Sequence, residues 1–95
     1  MYADALAGYM NVYASAIEMA VDTEDGRTLL AVIRHIAGEL KTHADAAANV
    51  GYEPDHYTYG ETTMITDHLD TCPVEYTDEH AEFVEKLAQI ILGYN

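Results

Sequence analysis

Apolar residues fall at steps of three and four through two long stretches in the first half of the chain. That period fits a helix, whose 3.6 residues per turn bring such positions onto one face. The first stripe is Tyr2, Leu6, Tyr9, Tyr13, Ile17 and Ala20, with a polar line of Asp4, Gly8, Asn11, Ser15, Glu18 and Asp22 on another face. It predicts a helix over residues 3–21, and its many alanines favour that state and let a neighbour approach closely. The second stripe, Leu29, Val32, Ile33, Ile36, Leu40, Ala44 and Ala47, predicts a helix over 27–49, stopped at Asn49-Val50-Gly51. Thr23-Glu24-Asp25-Gly26 reads as the turn between them. Two long helices joined by so short a turn should form an antiparallel hairpin.

The second half is less regular. Residues 51–60 (GYEPDHYTYG) read as a loop bounded by glycines, with Tyr52, Tyr57 and Tyr59 clustered in it. Residues 61–70 have the pattern of a short helix, although 63–66 would also fit a strand. Residues 72–76 form a connector. Thr77 is a good N-cap for a helix over 78–92, with Asp78 and Glu79 in its first turn and Gly93 as its stop. Its apolar stripe is His80, Phe83, Val84, Leu87, Ile90, Ile91 and Tyr94. The expected fold is all-α: one domain, 1–95, with two long helices as an antiparallel hairpin, a loop-rich middle with room for a short helix, and a C-terminal helix. Its core should contain Leu6, Ile17, Leu29, Ile33, Ile36, Leu40, Val84, Leu87 and Ile91. A chain of 95 residues buries a modest core, which leaves room for a homodimer or a bound partner.

Charge narrows the function. Seventeen acids face four bases, Arg27, Arg34, Lys41 and Lys86, for a net charge of −13. Residues 42–85 hold no Lys or Arg but eleven acids and four of the five histidines. Such a surface opposes direct binding to nucleic acid or to an anionic membrane, both of which need Lys and Arg. It suits basic partners, cations or a salt-rich solvent. Cys72 is the single cysteine, so no intramolecular disulfide forms, and a reducing, cytoplasmic setting is expected. No basic segment precedes the first apolar stretch, so the N-terminus does not read as a signal peptide.

No catalytic motif, phosphate loop or closed metal signature appears, so a non-enzymatic protein without cofactors is expected. His35, Glu39 and His43 lie at i, i+4 and i+8, a mixture of ligands that zinc accepts. They span more than two turns and would need a bend to share one ion, so a solvated flank is the expected role, with His43 at the edge of the apolar stripe and His35 pointing away from it. The dipeptides Asp55-His56, Asp67-His68 and Glu79-His80 could sense pH, since histidine changes charge near neutrality. Adjacent helical residues do not face each other, so surface pairs are the simpler account, with His68 and His80 at the edge of the core. Cys72 sits among acids, a setting that disfavours the thiolate a nucleophile needs.

The acidic surface itself carries the functional expectation. Carboxylates on a rigid scaffold with few bases can imitate nucleic-acid phosphates in the basic groove of a nucleic-acid-binding protein. In size and acidity the chain is similar to the small acidic inhibitors that phages use against restriction or CRISPR nucleases. The resemblance implies an inhibitor of that kind but covers no motif and carries no residue over. The expected interface comprises Glu53, Asp55, Glu61, Asp67, Asp70, Glu75, Asp78, Glu79, Glu82 and Glu85, with Tyr57 and Tyr59 as anchors, because tyrosine gives contact area at low entropic cost. The alternatives are a helical metal-binding protein or enzyme using His35, Glu39 and His43, and a halophile accessory protein whose acids only keep it hydrated.

Overall fold

The computed structural model describes residues 3–49 and 68–93, and within them every regular element is a helix. Helix α1 covers Ala3–Glu18, α2 covers Glu24–Asn49 and α3 covers Asp78–Leu92. A further helical turn at 68–70 ends in bonds from the Thr71 and Cys72 N–H groups to the carbonyls of His68 and Leu69. The loop expected at 51–60 and the helix or strand at 61–67 lie outside the described residues.

Helix boundaries follow their caps. Thr23 caps α2: its Oγ1 accepts from the Gly26 N–H at 3.0 Å, and its carbonyl accepts from Arg27 N–H at 3.0 Å. The segment expected to be a turn, 24–26, is therefore the first turn of α2, with Glu24 and Asp25 at the positive end of the helix dipole. The connection from α1 is correspondingly short. It begins where the Ala20 N–H donates to the Ile17 carbonyl, so α1 ends three residues sooner than its periodicity suggests. Helix α3 has the expected bounds. Gly93 closes it at φ +88°, a left-handed conformation in which a Cβ would be strained, and its N–H donates back to Ile90 and Gln89 carbonyls.

Helices α1 and α2 pack as an antiparallel hairpin, with α3 laid across both. The core consists of Leu6, Ala7, Met10 and Ala14 from α1, Val32, Ile33, Ile36, Ala37, Leu40 and Ala44 from α2, and Val84, Leu87 and Ala88 from α3, closed by Leu69. Ile17, Leu29 and Ile91, expected inside, are partly buried against it. On α1 the buried face is rotated from the expected stripe. Ala7, Met10 and Ala14 are buried in the core of a helix that packs mainly on α2, where small residues let two backbones approach and a flexible Met fills irregular space. Tyr9 lies 57 % exposed on the neighbouring strip. Phe83 and Ile90, expected in the α3 core, are also exposed, while Ala88 takes the inward place.

Candidate functional site

Acids from distant parts of the sequence meet at the start of α3. The ring of His80 is 6 % exposed and forms a capping box with Thr77: the Thr77 N–H donates to Nδ1 at 3.1 Å, and the His80 N–H donates to Thr77 Oγ1 at 3.3 Å. Because Nδ1 accepts, the ring proton is on Nε2, which donates to Asp25 Oδ1 at 2.9 Å. One side chain thus caps α3 and ties it to the first turn of α2, 55 residues away. The surface depression beside it is lined by Glu24, Asp25 and Glu75 together with Thr28, Tyr76 and Thr77. A second shallow depression follows along α3, lined by Glu79, Glu82 and Glu85 with Phe83, Lys86 and Gln89.

Taken together, the two depressions gather the carboxylates of Glu24, Asp25, Glu75, Glu79, Glu82 and Glu85, here called the acidic band, with Lys86 as the one base among their lining residues. Among the described residues, Asp70, Glu75, Asp78, Glu79 and Glu82 are exposed and make no ion pair, whereas two of the four bases are spent elsewhere. Arg34 pairs with Glu18 at 3.0 Å and Lys41 with Asp45 at 3.0 Å. The hydrogen bond and then the charge of Asp45 raise the Lys41 pKa, with Asp4 adding to the effect from the start of α1. Of the expected interface, Asp70, Glu75, Asp78, Glu79, Glu82 and Glu85 are described. Glu53, Asp55, Tyr57, Tyr59, Glu61 and Asp67 lie outside the described residues. Glu24 and Asp25 were not expected there. Only the pairing of α2 with α3 through His80 brings them in, and nothing in the local sequence signals a contact at that separation.

The metal alternative places His35, Glu39 and His43 on one flank. His35 does not point away from the fold: its Nε2–H donates to the His68 carbonyl at 3.1 Å and lies 3.3 Å from Thr71 Oγ1. Glu39 stands 3.9 Å from both His35 Nε2 and His68 Nδ1, so the side chain completing this cluster is His68 rather than His43. The ring of His35 holds the 68–71 turn on α2. Among the described residues no group of three His, Cys, Asp or Glu side chains is placed to hold a metal ion. Also among them, no helix is long and apolar enough to cross a membrane.

An apolar groove borders the acidic band. It measures about 660 Å³ and runs between α1 and α3, walled by Tyr9, Val12 and Ala16 on one side and Phe83, Leu87 and Ile90 on the other. The rings of Tyr13 and Phe83 meet across it, 6.1 Å apart and tilted by 44°. The fold and surface together define a small all-α bundle with an acidic flank and an apolar groove. Comparisons with protein-family models, curated proteins and solved structures find no match.

Proposed function

We propose that this chain is a non-enzymatic binding protein that occupies a basic surface of a nucleic-acid-binding partner by presenting carboxylates where that partner expects phosphates. The observation that carries the reading is the set of acids lining the two depressions at and along α3, Glu24, Asp25, Glu75, Glu79, Glu82 and Glu85 with Lys86 as the one base among the lining residues, while Arg34 and Lys41 are paired elsewhere. Such a field attracts a basic groove over a distance and speeds encounter, and salt weakens it. The bundle supplies the rigidity that mimicry needs, because His80 fixes α3 against α2. The setting favoured by size and acidity is a phage-type inhibitor of a host defence protein.

Immobilised chain incubated with host lysate at low salt should retain a basic protein, released by raising NaCl and displaced by duplex DNA. Reversal of Glu79 and Glu82 to Lys should weaken that capture by about tenfold or more while circular dichroism stays unchanged. Retention that ignores salt, duplex DNA and the double reversal would leave the acids with a hydrating role only.

A further inference from the structure

We infer that the groove between α1 and α3 seats the apolar ridge of a cationic amphipathic helix. The inference rests on the reading of this chain as a binder of basic partners, and adds where the partner's apolar side chains go. Val12 is 68 % and Ile90 61 % exposed, although each is a large hydrophobe on a helix whose inward positions include alanines. Single exposed apolar residues are ordinary, but here they line one continuous trough with Tyr9 and Phe83. On each wall the residues recur over seven positions: Tyr9, Val12 and Ala16 on α1, and Phe83, Leu87 and Ile90 on α3. Seven residues of helix rise about 10 Å, the length covered by anchors at i, i+3 or i+4, and i+7 of a docked helix.

The choice of occupant follows from charge. Phe83 and Lys86 line both the apolar groove and the acidic depression of Glu79, Glu82 and Glu85, so the two surfaces adjoin along α3. A ligand that satisfies both has one apolar and one basic face. A second copy of this chain fits poorly, because each copy brings a net charge of −13 to the contact.

The test uses three probes with the full chain at low salt, followed by fluorescence anisotropy. One is a helical peptide of about 18 residues, five turns, with Leu along one face and Lys on the other. The second has the same composition in an order that forms no apolar face, and the third is oligolysine. The amphipathic peptide should bind about tenfold more tightly than the permuted one. The double variant Val12→Ser, Ile90→Ser should erase that advantage and leave oligolysine binding unchanged. Both positions are exposed, so the variant should keep its fold, as circular dichroism would check. Equal affinity for the two peptides, or an advantage that survives the double variant, overturns the groove assignment while salt-sensitive oligolysine binding preserves the acidic-surface reading. Sedimentation as a dimer that the double variant dissolves gives the groove to a second copy and also overturns it. Absence of binding by every cationic probe overturns both.

Discussion

At the scale of single residues, His80 is the most consequential side chain outside the apolar core. Its ring accepts from the Thr77 N–H and donates to Asp25, so removing it takes away the ring half of the capping box and the link to α2, while Thr77 Oγ1 still accepts from the backbone N–H of residue 80. Each hydrogen bond of the ring contributes about 0.5–1.5 kcal/mol, and the Thr77 N–H and Asp25 carboxylate lose this partner together. His80→Ala should therefore destabilise the fold by about 2 kcal/mol in urea unfolding. Asp25→Ala should cost less, because the Asp25 side chain is 82 % exposed and water can replace it. His80→Gln should recover part of the loss, since Gln at this position also completes a capping box. An Asp25→Ala penalty equal to or above that of His80→Ala would mean that the ion contact, not the cap, is what the ring provides. The capping threonine was legible from the sequence. The partner of the ring was not, because residues 25 and 80 are brought together only by how two helices pack.

At the scale of elements, the three helices were legible and their faces only in part. The α2 stripe is unambiguous because its Val, Ile and Leu residues have polar neighbours, and five of its members are buried as expected: Val32, Ile33, Ile36, Leu40 and Ala44. Helix α1 is harder to read. Its tyrosines, alanines and Met10 make an apolar arc too wide for one neighbour, so period alone cannot say which strip meets α2. The close approach permitted by Ala7 and Ala14 decides it, and the displaced strip of Tyr9, Val12 and Ala16 becomes a wall of the groove. The same applies to α3, where Ala88 turns inward and Ile90 outward. Two substitutions separate these faces. Ile36→Ala empties a fully buried site and should cost about 2–5 kcal/mol. Ile90→Ala removes a side chain already mostly in water and should cost about 0.5 kcal/mol or less. Comparable penalties from chemical denaturation would place Ile90 in the core and close the groove. Much of the candidate site was legible as an acid-only run, but its lateral extent was not. The band needs Glu24 and Asp25 from a helix whose start reads as a turn, and the groove needs the rotated faces.

At the scale of the whole molecule, repulsion among carboxylates should dominate the response to salt. The net charge is −13, and Glu75, Asp78, Glu79 and Glu82 are exposed acids at and near the start of α3 that make no ion pair with Arg34 or Lys41. Added salt screens both repulsion and attraction, so the sign depends on which is larger. The favourable contacts at risk are exposed pairs such as Arg34–Glu18 and Lys41–Asp45, which water and salt already screen and which contribute little. Against them stand many like-charge interactions in a compact chain, and these weaken when the Debye length falls from about 30 Å at 0.01 M to about 8 Å at 0.15 M. The unfolded chain spreads the same charges over a larger volume and gains less from screening. The melting temperature at neutral pH should therefore rise between low and moderate NaCl. Reversal of Glu79 and Glu82 to Lys, which lowers the net charge and breaks the band, should raise the low-salt melting temperature and flatten its dependence on NaCl. A melting temperature that falls with salt in the parent chain would show that the exposed ion pairs outweigh the repulsion. If the double reversal left the salt response unchanged, the repulsion would lie outside the α3 band, and the surface proposed to meet a basic partner would hold no concentrated field.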